Sequence, residues 1–305
     1  MSSPTINPEQ IERRCPVCDA AGHEKCLQKG DLRLVRCAQC GMIFASPVPV
    51  AYVNGAFYED AGRPFYLSAE KLEGDYAPVR FERELRMFRR VCARGKVLDV
   101  GCSTGAFLYQ LGQRFPGGYE GFGTDVSGPA LDYAESKGIK VIRKDFLADD
   151  FPGSEFDAIT MWAVLEHVSE PKAFLAQAAG LLKRGGVCLA LVPNWKSLAR
   201  RVLNERYRYI LGQHLNYFSE ESLRRMAEDQ FEVLEAKFTH FNPVVIREDL
   251  RRRGLEPSGT ERARLLQRTN RLKRRRILRF AYGIVEGALS TGRLADNLTL
   301  VLRKR

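Results

Sequence analysis

The chain has 305 residues, 45% of them hydrophobic, which is enough for one large domain with an appendage. Its polar first residues and short apolar runs predict a cytoplasmic protein, since a membrane helix needs roughly 18 apolar residues. Four of the eight cysteines form close pairs and four are scattered singly, a pattern that excludes a disulfide scaffold. The net charge of +11 comes mostly from residues 246–279, where thirteen Lys or Arg accompany four acids.

Residues 1–46 are predicted to form a zinc-ribbon-like module. Two C-x2-C pairs, CPVC and CAQCG, have the spacing of a tetrahedral structural zinc site. The predicted ligands are Cys15, Cys18, Cys37 and Cys40. Because so small a module cannot fold around its own core, and because residues 11–45 are not notably basic, we expect the zinc to stabilise the fold rather than to serve nucleic-acid binding.

Residues 47–95 are predicted to form a connector that ends in an amphipathic helix, in which Phe81, Leu85 and Phe88 recur at helical spacing. From residue 96 to residue 305 strand-like and helix-like runs alternate, as in an α/β domain with a parallel sheet covered on both faces. The strand-like runs are KVLDV, YEGFGTDV, IKVIR, FDAITMW, VCLALVP, FEVLEAKF and NLTLVLRK. Residues 243–290 include the basic segment and are predicted to be a helical insertion before the last strand.

A glycine-rich turn, VLDVGCSTG, follows the first of these strands. No lysine follows Gly105, which argues against a triphosphate loop, and the pattern is not the G-x-G-x-x-G of a dinucleotide fold. Asp99 lies in the strand end, where it would repel a pyrophosphate but suits a cationic ligand. Asp125 ends the second strand-like run and can accept bonds from ribose hydroxyls, and Asp145 follows the third. Three acids at successive strand ends predict one ligand crevice.

These motifs, together with FDAITMWAVLEHVSEP and LLKRGGVCLALVPN, resemble those of class I S-adenosylmethionine-dependent methyltransferases. The resemblance implies a Rossmann-like, seven-stranded, mostly parallel sheet and S-adenosylmethionine as cofactor. It implies that Asp99, Gly101 and Gly105 hold the methionine part, that Asp125 binds the ribose and that Asp145 reads the adenine. Further predicted cofactor contacts are Cys102, Ser103, Val126, Phe146 and Trp162. Ser103 stands where many members of the class have glycine.

The predicted catalytic residues follow the fourth strand and a later loop. Glu166 and His167 lie in WAVLEHVSEP, and GQHLNYFS supplies His214 together with the predicted substrate-binding residues Asn216 and Tyr217. Since a neutral histidine can take the proton of an attacking hydroxyl, both histidines are candidate bases. The E-H pair and the distant His also resemble the divalent-metal site of small-RNA end methyltransferases and some quinone O-methyltransferases. Ala163 replaces the first glutamate of that pattern, which argues against a catalytic metal.

The CPxC…CxxCG head, the LEHV…P motif and HLNYFS together resemble bacterial methyltransferases of sugar, glycan and secondary-metabolite pathways. The resemblance implies a small-molecule or glycan acceptor (a sugar, a lipid-linked glycan or a secondary metabolite), and we favour O-methylation. The alternatives are an RNA-modifying methyltransferase and a non-catalytic zinc-bearing binding protein. The basic segment could attract an anionic membrane surface and place the protein peripherally at the inner face of the membrane. Few aromatic residues accompany its charges, which makes nucleic acid an unfavoured partner.

Overall fold

A computed structural model of the chain describes residues 10–58, 66–152, 155–241, 243–251 and 276–305. The cysteine module is built from short antiparallel strands: β1 (Gln10–Ile11), β2 (His23–Lys29), β3 (Leu32–Cys37), β4 (Ile43–Ala45) and β5 (Val48–Pro49). A tight turn joins β2 to β3, and Gly30 adopts a positive φ of 54° in it, a conformation that glycine tolerates best.

The connector is helical over most of its described length. Its helices are α1 (Val50–Val53), α2 (Ala69–Tyr76) and α3 (Glu82–Val91). The side chain of Ser68 caps α2 by accepting a hydrogen bond from the backbone N–H of Lys71. In α3 the predicted apolar face is confirmed, because Leu85 and Phe88 are buried against the central sheet.

All seven predicted strands occur in one sheet, so the predicted fold is confirmed. Its order is β12-β13-β10-β9-β6-β7-β8, and every neighbouring pair is parallel except the two that involve β13. The strands are β6 (Gly95–Val100), β7 (Tyr119–Thr124), β8 (Lys140–Val141), β9 (Phe156–Trp162), β10 (Leu182–Pro193), β12 (Phe231–Thr239) and β13 (Asn297–Lys304), and a separate short strand is β11 (Asn216–Tyr217).

Helices cover both faces of this sheet. They are α4 (Ala106–Arg114), α5 (Gly128–Ser136), α6 (Pro171–Leu181), α7 (Leu198–Leu203), α8 (Glu220–Ala227), α9 (Pro243–Arg251) and α10 (Arg276–Thr291). Side chains alternate along β6, so that Val97 joins the hydrophobic cluster around Phe88 and Phe107 while Leu98 joins the cluster around Ile159 and Leu175. The apolar content of both faces explains why this sheet is doubly covered.

The cysteine module and the methyltransferase-like domain share a second sheet. Strand β11 comes from the loop that precedes α8, yet it pairs with β4 in a four-stranded sheet of order β11-β4-β3-β2. The backbone of Tyr217 lies opposite Ile43, and that of Asn216 opposite Phe44. The module therefore braces the segment that carries the predicted catalytic and substrate residues.

The predicted insertion is helical at both described ends, in α9 and α10, and residues 252–275 lie outside the described residues. The prediction that its basic charge draws the protein to a membrane surface stays a prediction. Across the described ranges, no helix combines the length and the apolar character that crossing a membrane requires.

Candidate active site

The turn after β6 is built by glycine. Gly101 has a φ of 68°, and a Cβ at this position would lie 2.6 Å from Cγ2 of Val164. Gly105 has a φ of 77° at the start of α4. No larger residue fits both the conformation and the space at Gly101, so the backbone turns sharply and lies open at the carboxyl edge of the sheet.

A buried carboxylate, Asp99, and a partly buried one, Asp125, flank this turn. Asp125 accepts hydrogen bonds from the backbone N–H of Ser103 at 2.8 Å and of Ser127 at 2.9 Å, and its burial raises its pKa. Asp99 accepts a 2.6 Å bond from Thr160 Oγ1, and burial raises its pKa to about 7. The carboxylate of Asp125 thus ties the glycine turn to the end of β7, where the ribose of the cofactor is expected.

Several buried polar atoms at this edge lack partners. They lie at or just after the carboxyl ends of β6, β7 and β9, and none has a hydrogen-bond partner among the described residues: Ser103 Oγ, Thr104 Oγ1, Ser127 Oγ, Trp162 Nε1 and Glu166 Oε2. Buried polar atoms in proteins are normally hydrogen-bonded. Their concentration at one edge fits a crevice that receives a polar ligand such as S-adenosylmethionine.

The remaining predicted cofactor contacts divide into two groups. Val126 is 55% exposed beside Asp125, and Asp145 is exposed after β8, so both can meet a ligand. Phe146, however, is buried, and its ring packs 5.4 Å from Phe151 in the hydrophobic core. The thiol of Cys102 is also buried, against Gly123. Both side chains pack within the protein, and the contacts of Phe146 and Cys102 with the cofactor stay predictions.

The three predicted catalytic residues come together after β9. Glu166, His167 and His214 each place one nitrogen or oxygen within 4.8 Å of the others, and the two imidazole rings meet edge to face with centroids 4.5 Å apart. The backbone carbonyl of Glu166 accepts bonds from the N–H groups of Leu215 and Asn216, which holds the two loops together. This donor set is also of a kind that can hold a divalent ion, and the prediction against a catalytic metal stays a prediction.

Burial sets the protonation of this cluster. It lowers the pKa of His167 to about 4 and raises that of Glu166 to about 8. Both groups are therefore neutral near pH 7. The carbonyl of Gln213, 3.1 Å from His167 Nδ1, can only accept, which favours a hydrogen on Nδ1 and a lone pair on Nε2.

Sequence reasoning missed a tyrosine of the connector. The hydroxyl of Tyr58 lies 2.7 Å from Nδ1 of His167. Burial raises the pKa of Tyr58, and the nearby carboxylates of Glu166 and Asp125 raise it further. The connector therefore reaches the catalytic cluster, and its tyrosine content was the only sequence signal for this contact.

The side chain of Asn216 makes hydrogen bonds within the protein, and its role in substrate binding stays a prediction. Its amide nitrogen donates to the carbonyls of Leu165 and Val168, and its Oδ1 accepts from Arg13. Both polar atoms of this buried amide are hydrogen-bonded to other groups of the protein. Tyr217 is also buried, and its hydroxyl donates to the carbonyl of Leu211 at 3.1 Å. Both side chains thus bind backbone carbonyls of the protein.

Arg13 is a second residue that the sequence did not reveal. Its guanidinium donates to the carbonyl of Leu215 at 2.8 Å, to that of Ser169 at 3.0 Å and to Oδ1 of Asn216 at 3.0 Å. Burial lowers its pKa to about 10, so it stays charged at neutral pH. One side chain of the cysteine module thus joins the loop that carries His167 to the loop that carries His214.

The four paired cysteines form a cluster. The sulfurs of Cys15 and Cys40 are 3.4 Å apart and those of Cys18 and Cys37 are 3.6 Å apart, and all four lie within 4.8 Å of one another. None of them is in a disulfide. A tetrahedral zinc with bonds of about 2.3 Å needs sulfurs about 3.8 Å apart, so the cluster fits such an ion.

Comparison with known proteins agrees with this geometry. Residues 76–236, more than half of the chain, match the family model described as a methyltransferase domain, and the chain belongs to this family. It is an S-adenosylmethionine-dependent methyltransferase of class I. The ubiquinone biosynthesis O-methyltransferase of Glaesserella parasuis serovar 5 is 28% identical to it over 198 residues, covering 56% of this chain and 82% of that enzyme.

Two further proteins are similar. An uncharacterized protein of Methanocaldococcus jannaschii is 25% identical over 172 residues, covering 56% of this chain and 80% of its own length. The crystal structure of a SAM-dependent methyltransferase from Archaeoglobus fulgidus superimposes with a TM-score of 0.50 at 16% identity, covering 79% of this chain and 97% of that one. At this identity the structural likeness shows a shared fold.

Replacing Asp125 with alanine is expected to weaken S-adenosylmethionine binding tens- to hundredfold. The change removes about 2–3 kcal/mol of charge-assisted hydrogen bonding and releases the glycine turn from β7. Titration calorimetry measures the affinity directly. Asp132→Ala, which removes a surface acid from α5 that pairs with Arg143, is the matched control and should bind normally. An unchanged affinity in Asp125→Ala would show that this carboxylate does not hold the ribose.

Proposed function

We propose that the enzyme methylates a hydroxyl oxygen of a small-molecule or glycan acceptor, with His167 as the general base. The observation that carries the proposal is the cluster of Glu166, His167 and His214 after β9, beside the edge of the sheet where the cofactor is expected. The relative from Glaesserella parasuis is named an O-methyltransferase, which favours oxygen as the attacked atom.

Each residue of the proposed site has a distinct role in the reaction. Bound S-adenosylmethionine supplies an electrophilic methyl group on a sulfonium sulfur. Asp125 and the backbone of the glycine turn orient the cofactor, and Nε2 of His167 takes the proton that the acceptor hydroxyl loses. Tyr58 and the carbonyl of Gln213 fix the imidazole from its Nδ1 side. Glu166, protonated near pH 7, leaves no full negative charge to compete for that proton.

We further propose that Cys15, Cys18, Cys37 and Cys40 hold one structural zinc ion. Four thiolates close the coordination shell, so the ion has no open position for substrate. Its effect on catalysis is indirect, because β4 of the module pairs with β11 and Arg13 binds both catalytic loops. The metal supports the shape of the acceptor side of the site.

A methyl-transfer screen tests the proposed acceptor class. The full-length enzyme and labelled S-adenosylmethionine are incubated with sugar nucleotides, phenolic metabolites and transfer RNA. We expect label in a sugar or phenolic acceptor, on an oxygen atom, and much less label with Asp125→Ala at the same cofactor concentration. Label in RNA alone would contradict the proposal and establish the RNA-modifying alternative.

A further inference from the structure

A concave pocket lies between the cysteine module and the methyltransferase domain. Its volume is about 230 Å³. Three segments line it: β3 and β4 with the turn between them, the stretch from the end of β10 into α7, and the stretch from β11 into α8. None of the predicted cofactor contacts lines this pocket. Tyr217, which also lines the pocket, connects it to the catalytic cluster, because its ring centroid is 6.2 Å from that of His214.

Positive charge is concentrated in this pocket. Arg36, Lys196, Arg200 and Arg201 line it. Lys196 pairs with Glu221 at 2.7 Å, in a pair that is at least half exposed to solvent. Within the described ranges, the three arginines make no ion pair with an acid. The pocket thus gathers three cations from two modules without the carboxylates that would neutralise them.

Arg200 is held in place yet incompletely satisfied. Its guanidinium carbon lies 3.8 Å from the ring centroid of Trp195, so the group stacks over the indole. Its Nε is buried and has no hydrogen-bond partner among the described residues. Burial lowers the pKa of Arg200, and the nearby charges of Arg201 and Arg36 lower it further. An anion at this place would satisfy Nε and offset the repulsion between the arginines.

We propose that this pocket binds a phosphoryl group. A phosphate monoester carries a charge of roughly −1.5 to −2 near neutral pH and three acceptor oxygens, which three guanidinium groups match better than they match a singly charged carboxylate. Ser219 and Ser222, which cap α8 with their hydroxyl groups, line the same pocket. The phosphoryl group is either free phosphate or one end of a larger small molecule.

Titration calorimetry of the full-length protein with sodium pyrophosphate tests the proposal. We expect saturable binding that Arg200→Gln and Arg36→Gln each weaken about tenfold or more, because each removes a charge-assisted contact. Arg184→Gln is the matched control: it removes the same charge from an exposed position at the opposite end of β10 and should leave the affinity unchanged. Background binding to the basic segment 246–279 is the same in all of these proteins.

The outcome is independent of the proposed acceptor and base, because binding is measured without methyl transfer. S-adenosylmethionine affinity, measured in each variant, should stay at the wild-type value and shows that the variants are folded. Pyrophosphate binding that is unsaturable, or that is equal in wild type, Arg200→Gln and Arg36→Gln, would overturn the proposal. Lost pyrophosphate binding with intact cofactor binding would support it.

A second probe, uridine diphosphate, separates the two sources of the phosphoryl group. Tighter binding than pyrophosphate, lost in Arg200→Gln, supports a larger ligand anchored by its phosphoryl end. Binding equal to or weaker than that of pyrophosphate, and again lost in Arg200→Gln, supports free phosphate. An affinity for uridine diphosphate that is the same in the wild type and in Arg200→Gln would contradict binding in this pocket.

Discussion

Alanine in place of His167 is expected to lower turnover about a hundredfold or more while S-adenosylmethionine binds as before. The loss follows from removing the group that takes the hydroxyl proton, since general bases usually contribute at least this factor. His214→Ala is expected to lower turnover too, because its ring lies 4.5 Å from that of His167 and fixes one side of it. Steady-state methyl transfer and cofactor calorimetry on the same preparations separate the two effects.

The pH dependence gives this prediction a second readout. Sequence reasoning alone expects the rate to rise through an ordinary histidine midpoint, but burial lowers the pKa of His167 to about 4. A base works in its neutral form, so activity should be present above that pH and be lost only as the pH falls through about 4. A rise centred near 6.5 would contradict the assignment of His167 as the base.

Glu166→Gln is the control that distinguishes a base from a metal site. Because burial raises the pKa of Glu166 to about 8, the acid is uncharged at pH 7, and the neutral glutamine should preserve most of the turnover. A metal ligand would not tolerate this change, so a large loss of turnover in Glu166→Gln would indicate a metal site. Full turnover in both histidine variants would contradict the assignment of a base and leave catalysis to positioning.

Serine in place of Cys37 is expected to release the zinc ion and unfold the module. The zinc ion supplies folding energy that a sheet of this size lacks. Losing one thiolate therefore removes the ion and, with it, the stability of the module. Turnover should fall as well, since Arg13 and β4 lose the geometry with which they hold Leu215 and Asn216. Elemental analysis and circular dichroism check the metal content and the fold.

Cys26→Ser is the matched control for this variant. Cys26 lies in the same module but outside the four-sulfur cluster, so the protein should keep one zinc per chain and its activity. A wild-type protein that is folded and free of metal would contradict the prediction. One zinc ion per chain retained in Cys37→Ser would also contradict the prediction.

The sequence predicted the sheet well because each strand is a short apolar run with clear breaks. It was less accurate at boundaries. The run KAFLAQAAGLLKRGG is typical of one helix that ends in basic residues, but α6 ends at Leu181 and β10 begins at Leu182, so that Lys183 and Arg184 lie in the strand. The register between β10 and β9 shifts in this stretch, and Gly185 adopts a φ of 74° there. Tertiary pairing has overridden local helix preference.

The sequence predicted the site residues that follow a strand directly. It did not predict the contacts between segments that are distant in the chain. Asp125 and Glu166 lie at strand ends, and topology alone brings them to one edge. Arg13 is more than 200 positions from Asn216, and Tyr58 more than 100 from His167, so no local pattern could pair them. The hydrogen bonds from Asn216 to the carbonyls of Leu165 and Val168 were likewise not predictable, because a sequence motif does not show which carbonyls lie beside an amide.

The most direct test of the account is a crystal structure of the full-length protein with S-adenosylmethionine. We predict that the ribose hydroxyls bind Asp125 and that the methyl group points toward Glu166, His167 and His214. Such a complex would place the acceptor hydroxyl between the methyl carbon and Nε2 of His167. A cofactor whose methyl group faces away from these residues, or whose ribose lies elsewhere than on Asp125, would contradict the proposed site.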